Sequence, residues 1–138
     1  MAQRLKSMAA GVGAQRIGVD AIYLPDWGRY LEVGGERFLQ RVYTALELEQ
    51  AEGEPERLAS RFAGKEAVLK VLGTGIDGVG MSAVEIACED SGRPQVRLHQ
   101  AAREIAKTLT LSVFEVSLCH EQDYALAVAT ALEERSEQ

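Results

Sequence analysis

The spacing of apolar positions changes along the chain, and each change marks an element. Residues 15–22 (Gln15-Arg16-Ile17-Gly18-Val19-Asp20-Ala21-Ile22) alternate apolar with small or polar side chains, which predicts a strand. Ile17, Val19 and Ala21 then share one side, and Gly18, Asp20 and Ile22 the other. Pro25 ends the strand. Asp26 is placed to cap a short helix through Leu31, which Gly34-Gly35 breaks. Phe38, Leu39 and Val42 give further helical turns over residues 36–42. Thr44 with Glu47 three residues on is a capping-box pattern. The acidic stretch 49–56 holds Gly53 and Pro55 and reads as a loop, with Pro55 starting a long helix. That helix stops at Gly73, followed by Gly75. After Gly80 the period falls to two: Val84, Ile86 and Cys88 alternate with Ala83, Glu85 and Ala87. A turn over 89–94 leads to a return strand over 95–98. Residues 99–109 are helical again, with Ala102, Ile105, Ala106 and Leu109 inward. Residues 113–119 and 124–131 form a hairpin around His120-Glu121-Gln122-Asp123. Ala125, Ala127 and Ala129 on one face of its second strand require close approach by a helix or a second chain. Strands separated by helices and joined partly by hairpins predict an α+β fold, a mainly antiparallel sheet packed on the long central helix.

Composition narrows this to an ordinary soluble protein. The 138 residues suit one domain over 1–138, with 1–13 as a flexible extension and 133–138 as a polar tail that frays. Apolar residues make up 46% and charged residues 26% of the chain, with no run able to span a bilayer. The first residues carry Arg4 and Lys6 but no continuous apolar stretch, so no secretory signal is expected and the cytoplasm is the expected compartment. Cys88 and Cys119 fall in predicted strands and read as buried, reduced thiols. A net charge of −6 argues against general nucleic-acid binding but leaves room for a local basic patch.

The candidate chemistry lies on the long helix. Phe62, Glu66, Leu69 and Lys70 are three and four residues apart and share a face, where a carboxylate between apolar side chains is unusual. Either Glu66 lies at the edge of the buried stripe, or the helix holds a charged ligand there. Glu66 and Lys70 also have the spacing of a solvent-facing ion pair. Asp20 is equally out of place, since strands are depleted in aspartate. Gly73 and Gly75 would let backbone approach a phosphate, or simply end the helix.

Three stretches stand together: Ile17-Gly18-Val19-Asp20; the helix from Arg61-Phe62-Ala63 through Lys65-Glu66-Ala67 to Gly73-Thr74-Gly75; and Ser117-Leu118-Cys119-His120 with Tyr124-Ala125. Together they resemble the small holo-acyl-carrier-protein synthases, the short branch of the 4′-phosphopantetheinyl transferases, from about Ile17 to about Val128. The resemblance implies that the phosphopantetheine arm of coenzyme A moves to a serine of an apo acyl carrier protein, and that adenosine 3′,5′-bisphosphate leaves. It implies Asp20 and Glu66 as ligands of Mg²⁺, Lys70 at the pyrophosphate, Arg61 and His120 near the 3′-phosphate, and Pro94 near the adenine. Gly73 and Gly75 fall beside the phosphates in the same match. The general base is left between Glu66 and a metal-bound water. The family forms trimers with coenzyme A between neighbouring chains.

Three positions depart from the family pattern. Cys119 and Glu121 flank His120 where a serine and a threonine are usual, and a carboxylate at Glu121 would repel a phosphate. Asp26 stands where the family has a basic residue facing the acidic carrier; the basic candidates here are Arg29, Arg37 and Arg41. A carrier of the fatty-acid, polyketide or peptide type is compatible with this surface. A second class, a coenzyme A- or nucleotide-binding oligomerising module without transfer activity, shares the same motifs. The retention of Asp20, Glu66 and Lys70 together argues against it.

Overall fold

A long helix, α3 (Pro55–Leu72), is the axis of the computed structural model, which describes residues 13–134. Of the expected flexible ends, residues 1–12 and 135–138 lie outside the described residues, and Glu133 instead closes a strand. Pro55 opens α3 in its first turn. Gly73 ends it in the left-handed region at φ 75°, its N–H donating to the Leu69 and Lys70 carbonyls. The helix is buried almost all round, because elements pack on it from both sides.

On one side lies a three-stranded antiparallel sheet in the order β1 (Gln15–Tyr23), β5 (Tyr124–Glu133), β4 (Leu111–Glu121). On the other lies the hairpin β2 (Val84–Cys88) and β3 (Pro94–Leu98). Gly64 marks the squeeze between them: a Cβ there would lie 2.9 Å from Leu118 of β4 and 3.4 Å from Ile86 of β2. Helices α1 (Leu24–Val42) and α2 (Ala45–Ala51) cover the rest of α3. A short helix α4 (Ile76–Val79) and a 3-10 turn (Met81–Ala83) lead into β2, and α5 (Gln100–Thr108) joins the two sheets.

The expected capping box is present: Thr44 accepts from the Glu47 N–H and Glu47 from the Thr44 N–H. The expected break in α1 is a kink at Gly35, which sits at φ 56°. Four expectations are corrected. Helix α1 starts at Leu24 rather than Asp26, because Pro25 occupies its first turn and so begins the helix as well as ending the strand. Helix α2 runs to Ala51, so only residues 52–54 remain of the loop expected over 49–56. His120 and Glu121 belong to β4, and the hairpin turns on Gln122-Asp123 alone. Cys119 is exposed and Cys88 half-buried; both are free thiols.

The parity of the sheet explains the exposed Cys119 and a larger feature. Ala125, Ala127 and Ala129 face inward against α3, which meets the first of the two readings, close approach by a helix. Gly18 shares this face, and a Cβ on it would fall on the Ala67 carbonyl of α3. Where the backbones come this close, at Gly18 and the three alanines of β5, only a small residue fits inside, and the bulky residues of these strands face out. Ile17, Val19, Tyr23, Tyr124, Leu126, Val128 and Leu132 therefore form an exposed apolar surface on the far side.

Candidate active site

β1 and α3 bring the three central residues together. Asp20 stands on the inner face of β1, opposite Ala127, and is half-buried. Lys70, on the last turn of α3, reaches across and donates to the Val19 carbonyl at 2.7 Å and to Asp20 Oδ1 at 3.3 Å. Lys70 therefore pairs with Asp20, not with Glu66 as an isolated surface pair would. Glu66, one turn before Lys70, is half-buried beside them. Its carboxyl is held above the ordinary glutamate range, first by burial and then by the negative charge of Asp20, while Lys70 pulls it back.

Two carboxylates facing one another, only one of them hydrogen-bonded to a cation, form a site with negative charge to spare. Oxygen donors of this kind fit a hard divalent cation such as Mg²⁺. Among the described residues no three His, Cys, Asp or Glu side chains form a metal-binding group. A cation held by Asp20 and Glu66 would complete its shell with water and phosphate oxygens, the usual arrangement for Mg²⁺.

The other expected residues sit along the same helix and the adjoining strands. Arg61, one turn or so before Glu66, is buried; it donates to the Arg57 carbonyl at 3.2 Å and to Cys88 Sγ at 3.4 Å, and its Nε has no partner. No carboxylate pairs with this buried guanidinium among the described residues, so an anionic ligand fits there. Pro94 opens β3 directly opposite Cys88, so it shares that corner with Arg61. It lines a cavity of about 380 Å³ with Arg93, Phe114 and Glu115. His120 is exposed at the hairpin end of β4, on the same face as Ile22 and Ala125. Glu121 and Cys119 fall on the opposite face, so the carboxylate of Glu121 turns away from the side that carries His120. Gly73 spends its N–H on the end of α3, while Gly75 has open space where a side chain would be.

A cavity of about 1090 Å³ opens beside Phe62, one turn before Glu66. Its walls are Arg37, Phe38 and Arg41 of α1 and the segment Gly78 to Ser82. Arg37 and Arg41 are exposed at its rim, and Arg29 is exposed on the first half of α1, across the Gly35 kink. Trp27, Phe38 and Phe62 bind the two halves of α1 to α3, with ring centroids 5.3–6.2 Å apart.

Sequence reasoning missed the buried pair behind this wall. Lys65 and Glu47 are both fully buried, with Lys65 Nζ 2.7 Å from Glu47 Oε1. Lys65 also donates to the carbonyls of Met81 at 3.0 Å and Val84 at 2.5 Å. The two residues are far apart in sequence, so no local spacing connects them. The one available signal is that Ala63, Gly64, Ala67 and Val68 surround Lys65 with small and apolar residues, which leaves no solvent face for it.

The family model of the 4′-phosphopantetheinyl transferase superfamily matches residues 16–129, from the foot of β1 to β5. The chain belongs to that superfamily. A holo-[acyl-carrier-protein] synthase of Herpetosiphon aurantiacus is 35% identical over 122 residues, covering 83% of this chain and 96% of its own. The holo-[acyl-carrier-protein] synthase of Neisseria meningitidis superposes with a TM-score of 0.76 at 32% identity, over 84% of this chain and 96% of that one. The coenzyme A complex of the Chronobacterium ammoniagenes enzyme superposes at 0.78 and 26% identity, over 88% and 99%. The resemblance carried by the motifs thus extends to the whole α+β architecture.

Proposed function

We propose that this phosphopantetheinyl transferase moves the 4′-phosphopantetheine arm of coenzyme A to a serine of an apo acyl carrier protein and releases adenosine 3′,5′-bisphosphate. The observation that supports it most is the meeting of Asp20, Glu66 and Lys70 at the β1–α3 junction. Phosphoryl transfer needs positioning and charge neutralisation around phosphorus more than covalent help from the protein. Mg²⁺ held by Asp20 and Glu66 would neutralise phosphate charge. Lys70, already between the Val19 carbonyl and Asp20, offers its remaining N–H to the pyrophosphate. The serine oxygen bonds to the phosphorus that carries pantetheine, and the bond from that phosphorus to the leaving bisphosphate breaks. The serine proton goes to Glu66 or to a water that the ion would hold.

Arg61 and His120 are assigned to the 3′-phosphate and Pro94 to the adenine. Burial of Arg61 without a carboxylate partner supports the first assignment, and the cavity at Pro94 the second. Gly75 has space for a phosphate, whereas the N–H of Gly73 is used within the helix. Arg29, Arg37 and Arg41 are assigned to the acidic carrier, of the fatty-acid or polyketide type, with Asp26 subtracting from their charge. The chain works in the cytoplasm as a homotrimer, its exposed apolar sheet face covered by neighbouring copies; no described helix is long and apolar enough to cross a membrane.

Incubation of the protein with coenzyme A, Mg²⁺ and an apo carrier, followed by intact mass of the carrier, tests the reading. Gain of one phosphopantetheine on wild-type carrier and none on a serine-to-alanine carrier is expected. No gain over a panel of fatty-acid, polyketide and peptide carriers would contradict it and leave a binding module without transfer.

A further inference from the structure

We infer that Lys65 is a positioning residue, holding the Met81–Val84 wall of the cavity beside Phe62 in place for the acyl carrier; this rests on the proposed reaction, which gives Arg37 and Arg41 on the same cavity to the carrier. Lys65 and Glu66 are neighbours on α3 but project to different sides. Glu66 turns towards Asp20, while Lys65 turns inward to Glu47, Met81 and Val84. Its three N–H groups meet three acceptors, and the ammonium lies 5.6 Å from the centre of the Tyr43 ring. Glu47 is equally well used: one oxygen accepts from the Thr44 N–H, the other from the Ile86 N–H at 2.8 Å.

Two of the Lys65 bonds go to the ends of one short segment. Met81 opens the 3-10 turn and Val84 opens β2, and Gly78 to Ser82 form one wall of the cavity beside Phe62. That segment contains Gly78 and Gly80, the latter at φ 85°, so the local backbone is permissive. A permissive segment needs an external clamp to hold one conformation. Lys65 supplies it from the residue adjoining Glu66, so the distance from carboxylate to wall is fixed through a single peptide unit. Stability alone is a weak reason to bury such a pair, because apolar replacement of a buried ion pair is often neutral or stabilising. Arg37 and Arg41 stand on the opposite wall, tied to α3 by the Trp27–Phe38–Phe62 cluster rather than by Lys65.

Removing Lys65 alone would strand the Glu47 charge, so the test changes both residues. Lys65→Met with Glu47→Gln keeps a cap for α2 and an acceptor for the Ile86 N–H; Lys65→Met with Glu47→Leu removes both polar side chains. The expected result in either double variant is a melting temperature within a few degrees of wild type and faster amide exchange over residues 78–84. The KM for the carrier should rise about tenfold, and the KM for coenzyme A should change less than twofold. An unchanged KM for the carrier in a folded variant would overturn the inference, as would equal rises in both KM values. Failure of both variants to fold would also overturn it, since the pair would then hold the fold rather than the wall. Absence of turnover in the wild type would instead count against the proposed reaction itself.

Discussion

At the scale of single residues, charge decides what each carboxylate is for. Glu66 carries a raised pKa, so ionising it in the folded chain costs stability above the ordinary glutamate value of 4.5. Glu66→Gln removes that cost, and the variant should be at least as stable as wild type in urea at pH 7. A marked loss of stability would show that Glu66 supports the fold. Glu85 is the opposite case. Burial disfavours its charge, but hydrogen bonds from Thr44 and His99 outweigh that and lower its pKa. Its ionised form therefore stabilises the folded state above 4.5, and that contribution is lost as pH falls through the lowered folded value. Wild type should be more stable than Glu85→Gln at pH 7, and the gap should close as the pH is lowered through the acid range; a gap independent of pH would contradict this. Asp20 and Glu66 were legible in the sequence because each breaks the pattern of its element. Lys65 stands out only by its small and apolar neighbours, a weaker signal, since a lysine in a helix is ordinary until its tertiary surroundings are known.

At the scale of elements, the fold follows from how closely α3 approaches β1 and β5. The glycine and alanine positions of the sheet admit the helix backbone, and this brings Asp20 within range of Lys70. Gly18→Ala would place a methyl against the Ala67 carbonyl. A loss of about 1–3 kcal/mol is expected from urea unfolding, the usual cost of overpacking. Turnover should also fall, because Asp20 is two residues along the same strand; full stability in the variant would show that the approach is not tight. Helix boundaries set by Pro55, Gly73 and the Thr44 box were readable in advance because each has a local chemical cause. The limits of α1 were less so, as Pro25 can both end a strand and begin a helix. The burial of Cys119 was misjudged for a non-local reason. Strand parity was visible, but which face meets α3 depends on backbone approach.

For the whole molecule, the exposed apolar face and the charged rim make separate demands. Val19 and Val128 are paired at the centre of the outer sheet face. If copies pack there as a trimer, Val19→Asp with Val128→Asp should give a monomer by light scattering at micromolar concentration. A trimer that survives both changes would place the interface elsewhere. The net charge of −6 opposes an acidic carrier at long range, so docking must depend on the local arginines. Arg37→Glu with Arg41→Glu should raise the KM for the carrier and leave that for coenzyme A nearly unchanged. The effect should weaken at high salt, since exposed charges are screened over about 8–10 Å. Carrier kinetics unaffected at low salt would move the docking surface away from α1.

The central claim is that Asp20 and Glu66 together carry the transfer, and one measurement addresses it directly. Wild type, Asp20→Asn and Glu66→Gln are each mixed in excess with apo carrier, coenzyme A and Mg²⁺, and the modified fraction of the carrier is followed by intact mass over time. Both variants should keep the wild-type melting profile and slow the single-turnover rate by orders of magnitude. Either variant modifying the carrier at the wild-type rate under limiting Mg²⁺ would contradict the account.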